Sequence, residues 1–428
     1  MPEIFAAEPG FELITAAPGT AAQKRYLETT RWEKSMEDAF IVSAVRTPTG
    51  KKNGSLSHFR ADELLGLVLR EVVDRVGLDP VHVQDVIGGV VTQVGEQGFT
   101  LPRMAVLAAG FPDDTPGVAV NRQCGSGLTS INFAAAQIIA GWRDCAIACG
   151  CEIMSKYAIA AEWSNLTLAN GQAAGTPIGP AYMKRTGGKW VDQGQAAELI
   201  AEKWGISKEE MDAFSVRSHK RAHHAQQEGR FKREIMPVHL KGSEGQDILF
   251  DADETVRPAT TMEALAGLKT VFGTKVITAG NSSPISDGAS AVLLMSGKKA
   301  KELGIRPRAR IITSAVAGAD AVLMLTGPIP ATSKVLDLAG LTFDNLDKIE
   351  INEAFAPIPL AWGREYNPDW EKVNPNGGAI ALGHPVGNSG CRLTVTCLHE
   401  LERSQGRYGL ITLCTGGGMA PATIIERV

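Results

Sequence analysis

The chain runs through one succession of elements twice, and this repetition restricts its architecture more than any other feature. In the first pass, the strand-like runs "FIVSAVRTP", "VQDVIGGVVTQ", "GVAVN" and "DCAIACGCEIM" alternate with the helical segments "ADELLGLVLREVVDRVG", "LPRMAVLAAG" and "LTSINFAAAQIIAG". In the second, "RARIITSAVAG", "LDKIEINEAF", the start of "KVNPNGGAIALGHPVGNSG" and "YGLITLCTGGG" take the strand places. "ATSKVLDLAGL", "PLAWGREY" and "CRLTVTCLHELERSQG" take the helical ones. Strand and helix in alternation predict a layered α/β fold around a mixed sheet. Some parallels are literal: "VNRQCGSG" stands beside "GHPVGNSG", and "DCAIACG" beside "YGLITLCTGGG". An internal duplication predicts two similar halves packed together, with equivalent loops meeting at a shared centre.

Residues 155–275 have a different texture: polar loops ("NLTLANGQAAGTPIG"), a helical pair ("GQAAELIAEKWG" and "SKEEMDAFSVRSHKRAHHAQQEG") and the acidic "FDADETVRPATT". Ser207 and Glu210 form a capping-box pattern that sets a helix start near 208. The segment reads as an inserted domain, a cover or ligand platform, and "NSSPISDGASAVLLMSG" then resumes the first half. The organisation expected is 36–154 with 276–305, the insertion 155–275, and 306–428. Residues 1–35 carry no sustained period and no apolar h-region, so they do not read as a secretory signal, and their glutamates argue against a transit peptide. They read as a poorly ordered extension, with Met36 as the functional start.

Composition removes several function classes. The 428 residues carry a net charge of −4, so there is no basic surplus to hold nucleic acid or an anionic membrane. Apolar runs are cut before they reach membrane-spanning length. Seven scattered cysteines without a framework pattern point to reduced thiols and a cytoplasmic protein. Cys145, Cys149 and Cys151 fall on one face of a strand and read as core; no second ligand pair completes a zinc site. His219 and His223, with Lys220 and Arg221 between them, read as a solvated helix face. No metal is expected.

Four loops carry reactive groups: Cys124, Asn352, His384 and Cys414. Cys124 stands at a turn where a helix is about to start, and unpaired amides there favour a thiolate. Gly125 and Gly127 allow close approach of a ligand. A buried packing cysteine is the alternative reading. His384, between Gly383 and Pro385, supplies the base that a thiol nucleophile needs. Cys414 opens "CTGGG", whose glycines can turn successive amides toward a ligand oxygen. A hydrolase needs one cysteine; a second, matched to the first by duplication, suggests proton abstraction from carbon.

On these residues the chain from about Met36 to Val428 resembles the thiolase family. "NRQCGSG", "AGNSSPISDGA", "EINEAFA", "GGAIALGHPVGNSG" and "CTGGGMAPA" occur in that family's order and spacing. The resemblance implies a five-layer α-β-α-β-α fold with two related halves and a loop domain, assembled as dimers or dimers of dimers. It implies acyl transfer between 3-ketoacyl-CoA and coenzyme A, in the manner of fatty acid beta-oxidation, with CoA as substrate and no resident cofactor. Cys124 would carry the acyl group and His384 would take its proton. Cys414 would be the acid/base at carbon, and Asn352 would hold a water that makes one oxyanion hole with His384. The amides of Cys124 and Gly416 would make the other. Ser283 would touch the pantetheine arm and Arg257 the adenine end. Where acetoacetyl-specific members carry His-Met-Gly, this chain has Asp192-Gln193-Gly194, so the methionine that narrows the acyl pocket is missing. "VGEQ" (94–97) and "LHELER" (398–403) resemble actinobacterial thiolases of lipid and sterol side-chain breakdown. The alternatives carried are an acetoacetyl-CoA-specific acetyltransferase, a cysteine hydrolase using Cys124, His384 and Asn352, and a non-catalytic acyl-CoA-binding homologue. A ketosynthase is disfavoured by the "CTGGG" cysteine.

Overall fold

The computed structural model describes residues 37–164, 166–242 and 245–428. The extension expected at 1–35 lies outside the described residues. The first half supplies β1 (Ala39–Arg46), β2 (Gly50–Lys51), β3 (Val86–Gly89), β4 (Gly117–Val120) and β5 (Cys145–Ile153). A separate hairpin, β6 (Val238–Lys241) and β7 (Asp247–Phe250), lies in the inserted stretch, after which β8 (Ser286–Ser296) returns to the first half. The second half supplies β9 (Ala309–Gly318), β10 (Lys348–Ile351), β11 (Tyr408–Thr412) and β12 (Met419–Arg427).

The duplication is visible in the strand order, β4-β3-β5-β8-β1 in one half and β10-β11-β12-β9 in the other, with β2 against β8. β3 pairs in parallel with both β4 and β5, β10 pairs in parallel with β11, and the remaining pairs are antiparallel. The counterpart of β4 is reduced to one bridge, Ile349 with Val373. The strand expected to open "KVNPNGG" therefore does not extend: Asn374 turns to a positive φ of 44° and Pro375 follows it. The downstream "AIAL" forms a short helix, Ala379–Leu382, rather than open loop. At their edges the halves join through Phe40–Arg310 and Ile41–Ala309 of β1 and β9.

Alternation along the strands builds three cores. Cys145, Ile147, Cys149 and Cys151 of β5 face outward and pack with Leu64, Val68 and Val72 of the helix Ala61–Asp74. Ala146 and Ala148 face inward, toward Leu128 and Ile131 of the helix Ser126–Ile139 and Leu393 and Leu398 of the helix Ser389–Ser404. Ile311, Ile411 and Ile425 close that core from the other sheet. Beyond the second sheet, Val335 and Trp362 of the helices Pro328–Ala339 and Pro357–Tyr366 pack on Ile349, Leu410 and Ile424. The result is the α-β-α-β-α layering.

The two middle helices meet at their N-termini because glycine stands there. A Cβ on Gly390 would run into the backbone of Gly127 and Leu128, and one on Gly127 would lie 2.9 Å from the Cys391 amide. That contact brings together the loop ending in Cys124 and the loop His384–Asn388. The inserted helices Gln193–Trp204 and Lys208–Gln227 both begin with capping boxes, Asp192 with Gln195 and Ser207 with Glu210. Their apolar faces (Ala197, Ile200, Met211, Phe214) pack over Ala354, Phe355 and Ile358. His219 departs from the solvated helix face expected for it. It is buried, and its Nδ1 accepts the Arg257 amide at 3.1 Å, because this face of the helix is covered by the 253–280 loops.

Candidate active site

Cys124 is held by a tight turn. Gln123 adopts a positive φ of 48°, a strained choice for a residue with a Cβ and one that tends to mark functional sites. Its amide donates to Asn121 Oδ1 at 2.9 Å, and Ser126 Oγ accepts from the Arg122 amide at 2.8 Å and donates to Gln123 O at 2.6 Å. Val91, Met154 and Val386 pack around the thiol. Burial pushes Cys124 up to about 11; the amides of Gly416 and of Cys124 itself lean on the sulfur and pull the other way, while Glu152 adds to the rise. The amides expected at a helix start are thus present, but burial outweighs them and the resting group is a thiol.

His384 sits in the loop that begins at Gly383, where φ is +83° and a Cβ would press on Ser286 and Thr49. Its amide donates to Ser286 Oγ at 2.8 Å. Nδ1 and Ser389 Oγ are 2.5 Å apart, and Ser389 Oγ donates its one proton to Pro385 O at 2.9 Å. Nδ1 must therefore be the donor to Ser389, which leaves the lone pair on Nε2. Asn352 Nδ2 donates to that nitrogen at 3.3 Å. Burial first, and the Arg392 charge second, push His384 down to about 3. It is a neutral imidazole whose Nε2 carries the lone pair a general base requires, a lone pair that at rest accepts the Asn352 amide.

Asn352 leaves the end of β10, anchored by its amide on Thr412 O at 3.1 Å, and its buried Oδ1 has no partner among the described residues. Cys414 lies two residues beyond Thr412, buried beside Ala354, Phe355 and Ile380. Burial raises its pKa well above the ordinary thiol range, and its electrostatic coupling to Cys124 raises it further, which puts the two sulfurs in one site. The two cysteine loops touch: a Cβ on Gly125 would lie 2.8 Å from Thr415 Cγ2. Cys124, Cys414 and Gly416 thus form one group and His384 with Asn352 a second, joined where Val386 packs on Cys124. Ser283 lies nearby, its amide on Ala354 O at 2.9 Å, while exposed Arg257 lines a cavity with Ser282 and Pro284. Among the described residues no group of three or more His, Cys, Asp or Glu is placed to hold a metal ion, and no helix is long and apolar enough to cross a membrane.

Three further residues shape the site and were not singled out from sequence. Glu152 is buried, and its carboxylate accepts from Val91 N (3.0 Å), Thr92 N (3.1 Å), Gln97 Nε2 (2.7 Å) and Gly387 N (3.1 Å). It ties the ends of β3 and β5 to the His384 loop; a lone acid in "CAIACGCEIM" was the available signal. Ser389 sets the His384 tautomer. Arg392, one turn on, is buried with no hydrogen-bond partner among the described residues, 4.0 Å from the Glu350 carboxylate.

These protonation states carry a sign that can be read out. The folded protein favours the neutral thiol of Cys124, so thiolate appears only as pH rises toward about 11, and His384 stays neutral throughout. Alkylation of Cys124 by iodoacetamide in the free protein is expected to accelerate nearly tenfold per unit from about pH 6 to 9, without a plateau. A plateau near neutrality, measured by stopped-time mass spectrometry, would reveal a pre-formed thiolate–imidazolium pair instead.

This fold is matched among known proteins. The thiolase N-terminal domain model covers residues 39–298 and the thiolase C-terminal domain model covers residues 305–427. The chain belongs to the thiolase family. It is 45% identical over 395 residues to the steroid 3-ketoacyl-CoA thiolase FadA6 of Mycobacterium tuberculosis, spanning 92% of this chain and 95% of that one. It is also 45% identical over 401 residues to the beta-ketoadipyl-CoA thiolase of Pseudomonas aeruginosa, spanning 91% and 99%. The crystal structure of the Bacillus anthracis acetyl-CoA acetyltransferase superposes with a TM-score of 0.84 at 38% identity, covering 92% of this chain and 99% of the other.

Proposed function

We propose that this protein cleaves 3-ketoacyl-CoA with free coenzyme A, giving acetyl-CoA and a shortened acyl-CoA, and that it runs the reverse condensation through the same acyl-cysteine. The observation that carries this is the pair of coupled, buried thiols beside the Gly416 amide, with a neutral His384 at hand. His384 Nε2 takes the Cys124 proton and the sulfur attacks the 3-keto carbon. The oxyanion lies on the Cys124 and Gly416 amides. The bond between C2 and C3 breaks, and the Cys414 thiol gives its proton to C2, releasing acetyl-CoA. The enolate oxygen formed in that step is held by His384 and a water on Asn352, whose open Oδ1 supports that role. Coenzyme A then gives its thiol proton to the Cys414 thiolate and attacks the acyl group, and Cys124 leaves and recovers its proton from His384. Losing one oxyanion donor typically costs about 3–4 kcal/mol of barrier lowering.

We place coenzyme A across residues 155–275, with Ser283 toward the pantetheine arm and Arg257 toward the adenine, since Arg257 shares a cavity with the residues flanking Ser283. A second copy of the chain is the proposed partner. Edge strand β4 carries exposed Val118, with Phe99 and Phe133 also exposed, and an open apolar edge of this kind is ordinarily covered. A cytoplasmic role in acyl-CoA breakdown fits this chemistry. The test is product analysis with 3-oxohexanoyl-CoA. Acetyl-CoA and butanoyl-CoA should form only when free coenzyme A is supplied in turnover amounts. Release of free acid without coenzyme A would favour the hydrolase reading.

A further inference from the structure

The thiolase reading leaves open what the acyl chain carries, and two glutamines bear on this. Gly416 supplies the amide that faces the Cys124 sulfur, so whatever covers Gly416 borders the acyl group once it is on that sulfur. A Cβ placed on Gly416 would lie 3.1 Å from Gln193 Nε2 and 3.5 Å from Gln123 Cγ. Both side chains are half-buried, and neither amide has a hydrogen-bond partner among the described residues. Gln193 is not needed for capping, because Asp192 and Gln195 complete the capping box of its helix between themselves.

Its position is fixed from below. A Cβ on Gly194 would collide with the ring of Phe272, which stands edge-on to Phe355 with centroids 5.9 Å apart. Apolar Val91, Met154, Val386 and Ile285 also pack around the sulfur. An amide that a bound acyl chain covers is left unpaired unless that chain offers it an oxygen, and a site built to hydrogen-bond an oxygen discriminates against a chain that lacks one. The two amides are uncharged, and the buried Glu152 carboxylate acts electrostatically on the Cys124 sulfur. An uncharged oxygen therefore suits the position better than a carboxylate.

We infer that Gln193 is a specificity-determining residue that pairs with a hydroxyl or keto oxygen on the acyl chain, so that oxygenated 3-ketoacyl-CoA substrates are preferred over plain alkyl ones. This rests on the thiolase reading. The test compares kcat/KM for thiolysis of 3-oxohexanoyl-CoA, its 6-hydroxy derivative and 3-oxoadipyl-CoA, and of the same trio built on 3-oxooctanoyl-CoA. Wild type should favour the hydroxylated member of at least one trio by about tenfold or more over its alkyl counterpart. In Gln193→Met that ratio should fall to about one; being a ratio within one preparation, it does not depend on how much of the variant folds. Equal rates in wild type, a preference for the carboxylate, or a hydroxyl preference that survives Gln193→Met would each overturn the inference. Absence of thiolysis with every substrate would instead overturn the thiolase reading on which it stands.

Discussion

Cys414→Ala is expected to separate the two halves of the reaction. The variant should still accept an acetyl group from acetyl-CoA on Cys124, because that transfer breaks no carbon–carbon bond and draws chiefly on His384 and the amides of Cys124 and Gly416; it slows only modestly without Cys414, since the departing coenzyme A thiolate is stable enough to leave unprotonated. Cleavage and condensation of 3-ketoacyl-CoA should fall by about 10²–10⁴-fold, the usual contribution of a positioned acid or base. The geometry behind this is the electrostatic coupling of the two sulfurs and the burial that keeps Cys414 protonated, ready to give a proton to carbon. Alanine fits the site, since Cys414 is a small member of a core shared with Ala354, Phe355 and Ile380. Near-normal cleavage would make Cys414 a packing residue and return the hydrolase reading to favour.

His384→Ala should behave differently, impairing both halves. It removes the base for a thiol pushed up to about 11 and, with it, one donor to the enolate oxygen. The general base contributes about 10²–10⁴-fold and an oxyanion donor about 10²–10³-fold, so a loss on the order of 10⁴ or more in kcat is expected. Pre-steady-state acetylation of Cys124 should slow in parallel. A variant that acetylates at the wild-type rate while losing cleavage would show that His384 acts only on the carbon side and that another group activates Cys124.

Much of this was legible in the chain because the duplication repeats period and punctuation together. Strands such as "DCAIACGCEIM" and helices such as "ADELLGLVLREVVD" announce their faces, and the odd-numbered cysteines of β5 fell on the core side expected of them. Cys124, His384 and Cys414 were legible because each stands at a glycine-marked corner, Asn352 because it ends an apolar strand with polar residues, and the structure brings those corners together. What was not legible depends on contacts between distant segments. Glu152 in β5 meets Gly387 of the second half, Ser389 fixes a tautomer only because Pro385 O takes its proton, and His219 is covered by loops far along the chain. No local spacing encodes such pairings. The balance at Cys124 is of the same kind: helix-start amides are a local property, whereas the burial that opposes them comes from Val91, Met154 and Val386 of other elements. "KVNPNGG" kept strand-like residues but lost its strand to the turn at Asn374 and Pro375.

The central claim is that Cys124 carries the acyl group between two substrates. It is tested most directly by brief exposure of the wild-type protein to acetyl-CoA without free coenzyme A, followed by acid quench and peptide mapping by mass spectrometry. One acetyl group per chain on the peptide containing Cys124, discharged when coenzyme A is added, is the predicted result. An acetyl group on Cys414 or any other cysteine, or no covalent adduct in protein that still turns over, would contradict it.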